Sequence, residues 1–356
     1  MKALFICLAV ILLVVAAKAV WVAVATRHHG DFESEKMDIL ARRDWLLSKV
    51  VTNPQKLIDE MPAIVGPQFQ GEWALYSCSM LSAALVNTTL VYGEERDENI
   101  ARIDSLIQIV MSPELRAYDR ERWGEDPLET LDGNESHISY ISHLAWMIGG
   151  YKHIGGGSKY DELYHKLCET MNRRILESPN MNLPTYPGEC VYVPDMLVAI
   201  VALSVYSQQY DGKYYSAVCQ WIDEAKRHWI DKDTEMLASF LPVESEGMYG
   251  ETPIKGSYSA LSCYYLTFVD KEFAPRAIRE VEDELLAETT YHRLQGVPRQ
   301  KVLAWDGHRR GSHRVQPQPD RYGFCRWKRD LFRGLGIATE APEDRRACRN
   351  DMARQR

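Results

Sequence analysis

The stretch Leu183 to Tyr206 reads LPTYPGECVYVPDMLVAIVALSVY and divides into two halves. In the first, Pro184, Pro187 and Gly188 rule out a helix interior, since proline lacks the ladder N–H and glycine leaves the backbone loose. That half carries Tyr186, Glu189, Cys190 and Tyr192. The second half opens at Pro194, which suits a first helical turn, and Asp195 beside it complements the positive end of the helix dipole. The run MLVAIVALSVY that follows is apolar nearly all round, which predicts a buried helix. An acid, a thiol and two phenols are thus pinned to the mouth of a buried helix that adds a second acid. Such a loop is either a catalytic site or a cap that only seals one end of the fold.

The same arrangement recurs along the chain. Gly71 to Tyr92, Glu135 to Ile154, Pro194 to Gln208 and Gly256 to Phe268 read as apolar or small-residue helices. Amphipathic partners follow them at Asp97 to Met111, Lys159 to Glu177, Lys213 to Ile230 and Lys271 to Glu288. The first helices begin near residues 72, 135, 194 and 256, a period of about sixty, which signals stacked units. A further helix is predicted from Asp31 to Val50. No strand-rich segment and no βαβ alternation is present. The expected fold is all-α, an α/α toroid (barrel) of helical hairpins, incomplete at the C-terminus. An open α-solenoid is the alternative.

With 356 residues, of which 46% are hydrophobic, the chain is long enough for a large core. A formal net charge of -8 argues against a nucleic-acid partner. Charge is uneven: Asp306 to Arg356 holds 13 Lys/Arg against 7 Asp/Glu. Helical periodicity also stops there. Residues 305–356 are therefore expected to be a basic, unstructured tail, read as frame-shifted sequence, after a barrel domain at residues 31–304. The eight cysteines lack CxxC spacing, which excludes a zinc ribbon or a thioredoxin-type motif. Cys78, Cys168, Cys219 and Cys263 fall in apolar helical patterns and read as core residues.

Residues 1–27 read as a signal anchor or signal peptide. Lys2 precedes the apolar stretch Ala3 to Ala25, and Ala17-Lys18-Ala19 matches a cleavage site. The apolar run then resumes through VWVAVA to about the length of a membrane span, which favours an uncleaved anchor. The globular part is then expected on the extracytoplasmic, periplasmic side, held to the membrane through this segment, or secreted if the signal is cleaved.

If the inner helices start at one rim, their first turns converge. The candidates are then Glu72, Trp73 and Tyr76 from the first pair, and His137, Tyr140 and His143 from the second. The third offers Tyr186, Glu189, Cys190, Tyr192 and Asp195, and the fourth Tyr249, Glu251, Lys255, Ser257 and Tyr258. Acids, bases and phenols with aromatic walls suit proton transfer on a small, neutral, partly apolar molecule. The expected catalytic residues are Glu189, Asp195, His143 and Cys190, with tyrosines orienting hydroxyl groups. Bland roles compete: His143, beside Leu144 and Trp146, fits a hydrogen-bonded core histidine, and Glu72 fits a carboxylate at the helix dipole. No HExxH-type spacing accompanies His137, His143, His153 and Glu189, so neither metal nor cofactor is expected.

The elements GEWALYS, HISYISHLAWMIGGYKHI with KYDELYHKL, TYPGECVYVPD and ETPIKGSYSALSCYYL resemble the linalool dehydratase/isomerase family, over roughly residues 31–285. The resemblance implies an α/α barrel of six hairpins, often oligomeric, with its site at the inner-helix mouth. It also implies cofactor-free acid–base chemistry: hydration, dehydration and movement of an allylic hydroxyl. Cys190 and Glu189 correspond to the family's reactive loop. A second family cysteine falls in or near MLVAIV, where this chain has none, and Lys255 stands where relatives are expected to carry arginine. Two rival readings are a carbohydrate-active barrel (glycosidase, lyase or epimerase) and a non-catalytic barrel that binds a ligand or partner.

Overall fold

The computed structural model describes residues 13–18, 20, 32–64, 66–93, 95–231, 236–241, 256–270, 272–274 and 277–278. The basic tail, most of the N-terminal apolar stretch and most of the last predicted helix lie outside the described residues. So do Tyr249, Glu251 and Lys255. The chain divides into two units, Met1–Lys49 and Val50–Arg356. In the first, residues 13–18 are helical with Leu13, Val14 and Val15 exposed, and helix α1 (Phe32–Val50) begins.

Among its described residues the second unit is all-α apart from one small sheet. Its described helices are α2 (Pro54–Glu60), α3 (Gln70–Tyr92), α4 (Arg96–Val110), α5 (Pro113–Trp123), α6 (Ile138–His153), α7 (Asp161–Glu177), α8 (Val193–Gln209), α9 (Tyr215–His228) and α10 (Gly256–Leu266). Helices α3, α6, α8 and α10 are the apolar ones, and each packs against the next in chain order. The amphipathic helices cover them: α4 lies on α3 and α6, α7 on α6 and α8, and α9 on α8. Two layers result, because an apolar helix needs neighbours all round whereas an amphipathic one needs them on a single stripe. In α8 every residue from Met196 to Leu203 is fully buried, as its composition predicts.

Helix ends follow local chemistry. Gly93 closes α3 at φ 69, a left-handed conformation that costs glycine little. Asp211 (φ 50) and Gly212 (φ 76) turn the chain between α8 and α9. Pro194 and Asp195 fall in the first turn of α8, as the sequence predicts. Two helices were not expected, the short α2 and α5. Helix α5 occupies a segment that carries no inner- or outer-helix pattern, yet its ends are well marked. The Ser112 hydroxyl accepts from the Leu115 N–H at 3.3 Å, Pro113 starts the first turn, and Gly124 closes the helix at φ 78.

The sheet consists of β1 (Val191–Tyr192) and β2 (Phe240–Leu241), antiparallel, with Val191 opposite Leu241 and Tyr192 opposite Phe240. It ties the polar loop before α8 to the segment after α9, and the Val193 N–H extends it by donating to the Ser239 carbonyl at 3.1 Å. Cys78, Cys168 and Cys263 are buried thiols, as expected. Cys219 differs: it is half-buried and disulfide-bonded. Among the described residues one helical stretch, Pro67–Tyr92, is long and apolar enough to cross a membrane. It contains α3, whose packing against α4, α5 and α6 accounts for its apolar character.

Candidate active site

The first turns of α3 and α8 meet, which brings Glu72 and Asp195 to one phenol. The Tyr76 hydroxyl lies 2.9 Å from Glu72 Oε1 and 3.0 Å from Asp195 Oδ1. Glu72 and Tyr76 are four residues apart, so one helix face presents both. The Thr185 hydroxyl donates to the other oxygen, Asp195 Oδ2, at 2.9 Å. Both acids are buried, with 9% and 6% of their surface exposed. Burial and then the Asp195 charge push Glu72 up to about 7. Burial pushes Asp195 up to about 6, against the hydrogen bonds from Thr185 and Tyr76. The Tyr76 phenol is driven well above its usual range by burial and by the two carboxylates. It therefore stays protonated.

Around this pair stand three groups from α5 and the polar loop. Tyr186 is buried beside Glu72, its hydroxyl close enough to favour the carboxylate but without a formed hydrogen bond. The Arg122 guanidinium lies over the Tyr186 ring at 4.1 Å and over the Phe69 ring at 4.8 Å. Its Nη1 donates to Glu189 Oε1 at 3.2 Å, while the Tyr192 hydroxyl donates to Glu189 Oε2 at 3.2 Å. Glu189 is thus held in a partly exposed ion pair, and no hydrogen bond joins it to Asp195. Cys190 is buried in the same loop.

His143 lies one layer deeper. Its Nδ1 is 2.7 Å from Ser79 Oγ, and its ring lies 4.7 Å from that of Tyr76. Burial holds its pKa down to about 3, so the ring is neutral and resists taking a proton. It supports Tyr76 and is a poor general base. His137 turns away from the acid pair. Fully buried and in a left-handed conformation (φ 46), it places Nδ1 2.5 Å from Asp119 Oδ1 and Nε2 3.2 Å from Glu125 Oε1. Burial raises the pKa of Asp119. Trp123 covers the histidine ring at 5.3 Å. This set locks the loop between α5 and α6, together with Arg174, which donates to the carbonyls of Thr130, Gly133 and Ser136 at 2.9, 3.2 and 3.1 Å.

Several expected positions do not join the cluster. Tyr140 is fully buried and donates to the Val110 carbonyl at 2.9 Å, which pins α6 to the end of α4. Trp73 is 41% exposed, with its ring edge-on to Tyr76 at 6.1 Å. Glu189 and His143, both expected to be catalytic, touch different groups: Glu189 pairs with Arg122, and the His143 ring lies against that of Tyr76. Conversely, Arg122, Tyr118, Thr185 and Ser79 belong to the site's surroundings and were not singled out from the sequence. The first two sit on the unexpected helix α5, which Ser112-Pro113 and Gly124 mark at its ends.

An open cleft of about 480 Å³ runs beside the cluster, lined by residues that include Gly71, Tyr118, Glu121 and Arg122. Among the described residues no group of three or more His, Cys, Asp or Glu is arranged to hold a metal ion. Compared with known proteins, the chain matches no family model and no curated protein.

Proposed function

We propose that this chain is an α/α-barrel enzyme that adds, removes or moves a hydroxyl group on a small neutral molecule by acid–base catalysis without a cofactor. The observation that carries the reading is the single phenol shared by two buried carboxylates. A phenol has one hydrogen to donate, so one of the two acids supplies the hydrogen of the other contact. The pair thus holds one proton close to neutrality, as paired carboxylates that carry acid and base roles do. Glu72, raised to about 7, is the acid that protonates the departing hydroxyl. Asp195, raised to about 6, is the carboxylate that takes the carbon-bound proton. Tyr76 carries the proton between them and resets the pair.

The in-order packing of the four apolar helices supports the toroid, with the site at its inner-helix mouth. The resemblance to linalool dehydratase/isomerase supports the reaction class. Membrane tethering through the N-terminal stretch, an extracytoplasmic location and assembly into oligomers belong to the same proposal. A glycosidase fits less well, because Tyr76 fills the gap between the carboxylates where a sugar would lie.

Purified protein incubated with a panel of small allylic and secondary alcohols in 18O-labelled water tests the reading. Label entering the hydroxyl position, and failing to enter with Glu72→Gln, is the expected result. Labelling that is unchanged in both Glu72→Gln and Asp195→Asn would overturn it.

A further inference from the structure

Glu72 and Asp195 share Tyr76, yet their surroundings differ by one hydrogen bond. Thr185, 1% exposed, donates its hydroxyl to Asp195 Oδ2 at 2.9 Å, and Asp195 is the sole partner of that hydroxyl among the described residues. Thr185 stands ten residues before Asp195, so the polar loop folds back onto the first turn of α8. Asp195 therefore accepts at both oxygens, from Tyr76 at Oδ1 and from Thr185 at Oδ2. Glu72 has one formed hydrogen bond among the described residues, with Tyr76, and the neighbouring Tyr186 hydroxyl forms none.

This asymmetry favours one placement of the shared proton. With the proton on Glu72, the hydrogens all point one way: Glu72 donates to Tyr76, Tyr76 to Asp195 Oδ1, and Thr185 to Asp195 Oδ2. Two donors then meet an ionised carboxylate, and charge-assisted hydrogen bonds are about twice as strong as neutral ones. With the proton on Asp195, the Tyr76 hydrogen turns to Glu72, and Thr185 is left donating to a neutral acid. Glu72 is then a buried carboxylate with a single donor. Other groups facing the pair do not reverse the preference. Tyr265 of α10, Tyr186 and Tyr118 feel the charge of one acid or both, and burial keeps all three phenols protonated. His143, against Tyr76, is neutral. Arg122 favours an ionised Glu72, but Glu189 already pairs with it.

We infer that Thr185 is a positioning residue whose hydroxyl keeps Asp195 ionised and thereby places the shared proton on Glu72. It touches no reacting atom. It sets the direction in which the chain Glu72–Tyr76–Asp195 passes a proton. The inference rests on the proposed acid–base reading only for the roles that follow, Glu72 as acid and Asp195 as base; the location of the proton is a property of the free protein.

Infrared spectroscopy of the full chain, at a pH between about 6 and about 7, reads that location through the carboxylic-acid C=O band. Labelling the aspartate carboxyl groups with 13C shifts an aspartic-acid band and leaves a glutamic-acid band in place. Asp119, whose pKa burial also raises, contributes equally to all variants and cancels in the differences. In wild type we expect an unshifted band that Glu72→Gln removes. Thr185→Val keeps the size of the side chain and loses the donor. There the Glu72 band should weaken by about half or more, replaced by a 13C-sensitive band that adding Asp195→Asn removes. Thr185→Ser restores the donor and should keep the wild-type spectrum, which a role in packing alone would not predict. Should Thr185→Val fail to fold, Thr185→Ala takes its place. An Asp195 band in wild type, a Glu72 band unchanged in Thr185→Val or Thr185→Ala, or a Thr185→Ser spectrum that matches Thr185→Val would overturn the inference. A proton that moves to Asp195 in Thr185→Val, with no turnover of any alcohol by wild type, would sustain the role of Thr185 and sink the acid–base reading. Label uptake from 18O water by wild type, with the Glu72 band unmoved in Thr185→Val, would keep that reading and discard the role of Thr185.

Discussion

Glu72 and Asp195 meet at one phenol: the Tyr76 hydroxyl is 2.9 Å from the first and 3.0 Å from the second. Asp195 lies 119 residues beyond Tyr76 in the chain, so only the docking of α8 on the α3 side of the core makes this contact. The geometry requires a proton on one acid, and burial sets the pH at which that proton leaves.

A stability test follows from Glu72. Its proton is bound more tightly in the folded state, at about 7, than at the ordinary value of 4.5. The resulting stabilisation is full below the lower value and is lost as pH rises through the higher one. At about 1.4 kcal/mol per unit, the loss is on the order of 3 kcal/mol. Glu72→Gln keeps an acceptor for Tyr76 but cannot ionise. We expect it to melt above wild type at pH 8 and close to it at pH 5. Parallel melting curves at both pH values would contradict the buried, shared proton.

Activity, where found, should show a bell-shaped dependence on pH with limbs near 6 and 7, set by Asp195 ionising and Glu72 losing its proton. The limbs belong to the coupled pair and not to either residue alone. Tyr76→Phe should remove the coupling and lower kcat by more than about ten-fold. A profile that is flat between pH 5 and 8 would exclude these acids.

Gly71 is required by its neighbour. A Cβ there would lie 2.7 Å from the Tyr118 Cβ, so Gly71→Ala must push α5 off α3. Overpacking of this kind costs about 1–3 kcal/mol, more than alanine gains in helix propensity. Gly157→Ala is the control, since its Cβ would meet nothing within 4 Å. Urea unfolding should show a clear loss for the first and almost none for the second.

Arg174 should be a structural residue. It is 3% exposed and donates to four loop carbonyls between α5 and α6, those of Thr130, Leu131, Gly133 and Ser136. Arg174→Met would take the side-chain donor from the buried Ser136 carbonyl, while the Gly133 and Thr130 carbonyls keep Arg173 and the Gly133 N–H, at a cost of about 1–3 kcal/mol. Because the same loop leads to His137, increased proteolytic cleavage between residues 124 and 137 should accompany the loss. Unchanged cleavage would mean that the Asp119–His137 pair holds the loop without it.

The sequence by itself determined the helical class, the alternation of apolar and amphipathic helices, and the mouth of α8. Each of these depends on residues within about one turn of one another: Pro194 and Asp195 start α8, and its unbroken apolar run demands burial. It also placed Glu72, Tyr76, Tyr186 and Asp195 among the candidates, because each stands in or just before an inner-helix first turn. The tertiary structure alone decided which of them meet. Tyr76 reaches Asp195, whereas Glu189, closer to Asp195 in sequence, is drawn to Arg122. A hydrogen bond to the Val110 carbonyl holds Tyr140 at the end of α4, and burial made His143 neutral. Helix α5, short and polar, escaped a search for apolar periodicity although its caps were in plain view. Pairing partners, protonation and burial depend on distances across the core, and those are set by packing between segments that no local pattern encodes.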